Sequence, residues 1–199
     1  MPTVLSELHF LPSVAMMQHY KTADTLLLEG SEHYQKGSYR NRCHIAGANG
    51  VQRLSIPLVK GKNSQQPIGE VRLSFEEPWP TRHWQSIRSA YGSAPFFVFY
   101  ADAFEPLFRH PPVLLWDFNL QFLTLCFRLL RWEKTIHTTT TYSPAAPQGI
   151  QDVRNQIRPS LEIDTPYYPQ VFEDRHGFLP NLSILDLLFC MGPEAGGYL

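Results

Sequence analysis

The sequence predicts a mixed α/β fold, a single domain over residues 1–199, and three patterns carry that expectation. The chain opens with an apolar extended run, a short helix and a second extended run. An Asn49-Gly50 pair divides two further extended runs. The middle of the chain is helical, with apolar residues recurring at helical spacing.

The first unit reads as a strand over 3–9, a helix over 13–21 and a strand over 24–29. Ser13, directly after Pro12, is placed to cap the helix. A strand, helix and strand in this order predict a parallel βαβ unit. His9 and Glu29 then lie near the carboxyl ends of its strands, the edge where open α/β sheets commonly hold ligands. Residues 31–41 are polar and ring-rich (His33, Tyr34, Tyr39) and predict a loop or irregular helix. Runs 42–46 and 52–57, joined through Gly47-Ala48-Asn49-Gly50, predict a hairpin, because Asn and Gly both tolerate positive φ. A turn over 60–66 and an alternating strand over 68–75 follow.

Thr81 is placed to cap a helix that Gly92 stops near Tyr91. Helices over 94–108 and 113–132 come next, divided by His110-Pro111-Pro112. In the second, Leu115, Phe118, Phe122, Leu125, Cys126 and Leu129 form the stripe of a core-facing helix. Asn119 on that seam is expected to be buried and structurally bonded. Residues 135–142 read as a strand, 143–149 as a loop, and 184–191 as a short last helix stopped by Gly192-Pro193. Ser183 and Asp186 fit a capping box at its start.

Bulk properties narrow the function. The composition is 43% hydrophobic and 18% charged, which excludes general disorder. Formal net charge is −1, without the basic excess through which nucleic-acid binders neutralise phosphate, so no nucleic-acid partner is expected. Cys43, Cys126 and Cys190 are odd in number, widely spaced and without a CxxC pair. They read as reduced core thiols. The first residues lack a signal-peptide pattern and no apolar run reaches the ~20 residues of a membrane span, so a cytoplasmic protein is expected. The histidines form no HxH or HExxH pattern, so no metal site is assigned and no cofactor is named.

Two clusters stand out as candidate site. Tyr39-Arg40-Asn41-Arg42 combines two guanidiniums with an amide and a phenol, and Arg offers a planar fork of donors to phosphate or carboxylate. Arg40 and Arg42 share one face at period two if Arg42 begins a strand. The second cluster is Trp79, Arg82, His83 and Tyr91. A histidine in a first helical turn sits by the positive helix end, which favours the neutral imidazole of a general base. His83 is therefore the candidate catalytic residue. Trp79, Arg82, Tyr91 and His9 join Tyr39–Arg42 as candidate substrate contacts, and the two clusters are expected to border one concave site.

Three segments together resemble the WbqC-like family. They are Ser38-Tyr39-Arg40-Asn41-Arg42 before a hairpin, His83-Trp84 with Tyr91 and Ala94-Pro95-Phe96-Phe97, and Asn181 through Phe189 before Gly192-Pro193-Glu194. Members often open with Gln-Pro-x-Tyr-Leu-Pro, of which Glu7-Leu8-His9-Phe10-Leu11-Pro12 keeps only the final Leu-Pro. The resemblance implies bacterial O-antigen or related surface-polysaccharide chemistry. The expected function is a transferase, of acyl or aminoacyl type, acting on a small molecule such as a nucleotide-sugar or a carrier-linked precursor. His83 would be its base, and Arg40 and Arg42 would hold phosphate or carboxylate. The alternative is a non-catalytic binding or assembly protein using the same cleft.

Overall fold

The computed structural model describes residues 2–59 and 66–199. The opening βαβ unit forms as expected. β1 (Thr3–Ser6) and β2 (Thr25–Leu28) pair in parallel, Thr3 opposite Thr25 through Ser6 opposite Leu28, and α1 (Val14–Thr22) makes the crossover. Val4, Leu26 and Leu28 are buried, as expected of the centre of a parallel sheet.

Ser13 takes the extended N-cap conformation of α1, but its hydroxyl makes no capping bond. The amide of Ala15 donates instead to Asn181 Oδ1 at 3.1 Å, a cap supplied from 166 positions away. Asn181 holds the left-handed backbone conformation, φ 52°, which Asn tolerates better than most residues.

The hairpin is β3 (Arg42–Gly47) against β4 (Gly50–Ser55), with Gly47 paired to Gly50. Only Gly50 of the Asn-Gly pair uses positive φ, at 99°. The expected strand over 68–75 is a correction: Ile68–Glu70 is a 3-10 turn, and the rest makes only single bridges, Leu58 to Leu73 and Arg72 to Leu114. Alternating burial at Val71 and Leu73 produced the strand-like pattern without a strand edge to pair with. Of the turn expected over 60–66, only Gln66 lies within the described residues.

Three helices form the middle: α2 (Trp79–Tyr91), α3 (Phe97–Arg109) and α4 (Leu115–Leu130). α2 begins two residues before the expected cap, with Pro80 in the first turn, where a missing N–H costs nothing. The α4 stripe packs as read: Leu115, Phe118, Phe122, Leu125 and Cys126 are buried, and Leu129 packs at the margin. Asn119 donates to the Arg40 carbonyl at 2.7 Å, which ties α4 to the segment before the hairpin.

β5 (Thr135–Thr138) and β6 (Ile150–Asp152) complete a parallel sheet in the order β5-β2-β1-β6. After a short turn, α5 (Glu173–His176), α6 (Ile184–Met191) buries its apolar face, and Gly192 ends it at φ 55°. A Cβ on Gly192 would lie 2.3 Å from the Phe96 ring, so glycine is required there twice over. Half of the expected capping box forms, since Ser183 Oγ accepts from the Leu185 amide. Asp186 turns inward instead and accepts from Gln170 Nε2 at 3.0 Å, beside Tyr91 and Tyr168. No helix among the described residues is long and apolar enough to cross a membrane.

Candidate functional site

The richest polar assembly lies at the carboxyl edge of the parallel sheet. β1 delivers Glu7 and His9 just past its last residue, β2 delivers Glu29, β5 delivers Thr139, and β6 delivers Asp152, Arg154 and Asn155. All parallel strands point the same way, so the residues following each one converge on a single edge.

Glu7 is the centre of one half. Its Oε1 lies 2.9 Å from His9 Nε2, and its Oε2 accepts the Asn155 amide at 2.9 Å. Asn155 Oδ1 accepts from Arg40 Nη2 at 3.1 Å, while Arg40 Nε and Nη2 grip the two oxygens of Glu32 at 2.7 and 2.5 Å. Burial works to raise the Glu7 pKa. The hydrogen bond and charge of His9, the charge of Arg40 and the Asn155 amide outweigh it and hold the carboxyl at about 2. Burial also pushes Glu32 up, against the pull of Arg40 and with the charges of Glu7 and Glu29 adding to it.

Arg154 organises the other half. It donates to Glu29 Oε2 at 2.8 Å and to Asp152 Oδ2 at 2.7 Å, and to the Ser143 carbonyl at 2.8 Å. The Tyr142 ring lies 5.3 Å from its guanidinium. Thr139 Oγ1 donates to Glu29 Oε1 and accepts the Gly30 amide at 3.0 Å. A Cβ on Gly30 would meet Thr138 Cγ2 at 2.3 Å and the Thr139 carbonyl at 3.3 Å, so any larger residue there has to displace the Thr138 side chain.

Two polar atoms in the first half have no partner. His9 Nδ1 and Arg40 Nη1 are buried without a hydrogen bond, as is Arg42 Nε at the start of β3. In the tautomer that directs Nε2–H at Glu7, Nδ1 is the nitrogen left to accept a proton. A carboxylate orienting an imidazole through one nitrogen also occurs in the His-Asp pair of a catalytic triad, and here the other nitrogen is enclosed by protein.

The structure brings His9, Tyr39 and Arg40 into this neighbourhood. The Tyr39 ring lies 5.4 Å from that of His9, its hydroxyl 3.4 Å from His44 Nδ1, and burial pushes its pKa up to about 12. Arg40 has no exposed surface, and two of its three nitrogens are taken by protein groups. Arg42 is half-buried at the first position of β3. Asn41 uses its Nδ2 on the Ile56 carbonyl at 2.9 Å, which anchors the hairpin.

The α2 cluster makes no hydrogen bond to Arg40 or Arg42 among the described residues. Trp79 is buried, with Nε1 donating to the Ser74 carbonyl at 2.8 Å. The Tyr91 hydroxyl accepts the Ala46 amide at 2.9 Å and faces Asp186. Arg82 is 62% exposed and pairs with Glu77. His83 lies in the second turn of α2 rather than the first, against Trp79 at 5.1 Å and Phe10 at 6.4 Å between ring centres. Burial in this aromatic surround, opposed by a hydrogen bond with the Ser55 backbone, lowers its pKa to about 4. Phe10, the residue after His9, stacks its ring on His83.

Glu7, Glu32, Thr139, Arg154 and Asn155 were not singled out from sequence. Glu7 stands where the family's opening pattern has glutamine, and that departure was the available signal. The others had none, because β6 is three residues long and its pairing with β1 is non-local. The three thiols are buried and unpaired, and burial raises the pKa of each, Cys126 to about 12. Among the described residues no cluster of three or more His, Cys, Asp or Glu is placed to hold a metal ion.

Comparison with known proteins places the chain in a family. The chain is 28% identical over 204 residues to the uncharacterized protein Rv1507c of Mycobacterium tuberculosis, covering 88% of this chain and 87% of that protein. No solved structure matches. The sequence model of the WbqC-like protein family matches residues 8–160, a span that takes in His9, the hairpin, all three middle helices and both Arg154 and Asn155. With more than half of its length matched, the chain belongs to the WbqC-like protein family.

Proposed function

We propose that this chain is a transferase of acyl or aminoacyl type, acting on an activated sugar or carrier-linked precursor of a bacterial surface polysaccharide. The observation that carries the catalytic part is His9, held through Nε2 by Glu7 with Nδ1 unpartnered, at the carboxyl edge of a parallel sheet. Family membership supports the pathway. In this reading His9 Nδ1 takes the proton from the attacking hydroxyl or amine of the sugar as that atom bonds the acyl carbon. The imidazolium returns the proton to the departing thiolate or alkoxide. Arg42, with Nε free, and Arg40 Nη1 supply donors for a phosphate or carboxylate of the substrate. His9 is favoured over His83 as base because a carboxylate orients it, whereas burial holds the His83 pKa near 4, far below the neutral pH where a base works best.

A second reading, a non-catalytic ligand-binding or assembly protein of the same pathway, is favoured by closure of the site: His9, Glu7 and Arg40 show at most 1% exposure. Gene deletion followed by mass spectrometry of the surface polysaccharide tests the proposal. A transferase predicts loss of one acyl or aminoacyl substituent, restored by the wild-type gene but not by His9→Gln. Restoration by His9→Gln at wild-type level favours the binding reading. Polysaccharide unchanged by the deletion overturns both.

A further inference from the structure

We propose that the groove between α3 and α4 is the docking surface for a second copy of this chain, joined about a two-fold axis. The groove has a volume of about 550 Å³ and is lined by Ala103 and Leu107 of α3 and by a lengthwise face of α4. Phe99, one helical turn before Ala103 on the same face of α3, is 72% exposed. A large aromatic left in water beside an apolar groove is the composition of an interface centre.

The α4 face identifies the occupant. Asp117, Leu120, Gln121, Thr124, Leu125 and Arg128 recur at i, i+3, i+4, i+7, i+8 and i+11, the spacing of a helix-pairing seam. The seam is centred between Phe122 and Leu123. A second α4 laid antiparallel across that centre sets Asp117 against the partner's Arg128 and Gln121 against the partner's Thr124, with half-buried Leu120 facing the partner over the groove floor that buried Leu125 forms. Each pair is chemically complementary, and a two-fold axis makes each occur twice, as an isologous contact requires. Among the described residues, neither Asp117 nor Arg128 has an ion pair or side-chain hydrogen bond within the chain. The two ends of the seam therefore carry opposite charges available to a partner. This surface is distant in sequence from the carboxyl-edge residues and does not depend on the proposed activity.

The test is sedimentation of the full chain over a dilution series, with a thermal melt of every variant. The wild type is expected to sediment as a dimer. Asp117→Arg or Arg128→Asp alone opposes like charges at both ends of the seam and should weaken association by roughly a hundredfold or more. The double variant, Asp117→Arg with Arg128→Asp, restores complementarity and should restore the dimer. Both residues are exposed, so each variant should still unfold in one cooperative transition, at a temperature lowered only by the lost association and regained in the double variant. A wild type that is monomeric throughout, a dimer indifferent to the single reversals, or reversals that the double variant does not rescue would each overturn the proposal. So would a monomer that takes up laurate in the groove and loses it in Leu120→Asp.

Discussion

The Asn155 amide donates to Glu7 Oε2 at 2.9 Å, joining residues 148 positions apart at the carboxyl edge of the sheet. Asn155 holds φ at 59°, the left-handed region, and its side chain simultaneously receives Arg40. A local conformation that most residues avoid is thus maintained where two buried charges have to be bridged.

Replacing Asn155 separates the two parts of that role. Asn155→Gly keeps the backbone conformation and the bond to Glu7 but loses the bond from Arg40. Asn155→Ala loses the same bond and adds left-handed strain of about 1 kcal/mol. The alanine variant should therefore unfold at lower denaturant than the glycine variant. Equal stability of the two would mean that the backbone relaxes.

Glu7 makes stability depend on acid. Its folded pKa of about 2 lies below the ordinary 4.5, so its contribution is fully present above pH 4.5 and is lost as pH falls toward 2. The displacement corresponds to an order of 3 kcal/mol. Denaturation curves of Glu7→Gln between those limits should show a shallower fall with acid than the wild type, from a lower starting stability at neutral pH.

His83 acts in a higher window. Its folded pKa is depressed to about 4 from 6.5, so the unfolded chain binds the proton first. Stability is full above pH 6.5 and declines as pH falls toward 4. In His83→Gln that decline should flatten, while the acid transition attributed to Glu7 persists. An unaltered slope between pH 6.5 and 4 would show that the ring is already protonated in the folded chain.

The cap of α1 offers a contrast between neighbours in space. Ser13→Ala should change stability by less than about 0.5 kcal/mol, because the hydroxyl has no partner to lose. Asn181→Ala should cost about 1–2 kcal/mol, since it removes the bond to the Ala15 amide and strains a left-handed residue. Chemical denaturation of the two variants decides the matter, and reversed magnitudes would place the cap on Ser13.

Local chemistry was legible in the sequence. The βαβ opening follows from apolar runs flanking a helix, the hairpin from Asn49-Gly50, and the burial of Phe118, Phe122 and Cys126 from helical spacing. His9 and Glu29 were assigned to the carboxyl edge because strand direction alone sends the residues after each strand there. Tertiary structure decided what that edge contains. β6 pairs with β1 across 147 positions, Thr3 opposite Ile150, and only that pairing brings Arg154 to Glu29 and Asn155 to Glu7. Likewise, nothing local distinguishes an arginine facing a ligand from one gripping Glu32, because both roles use the same fork of donors. A periodic pattern reports which face of an element is apolar. Which charges meet when those faces are buried depends on chain reversals that no short window of sequence contains.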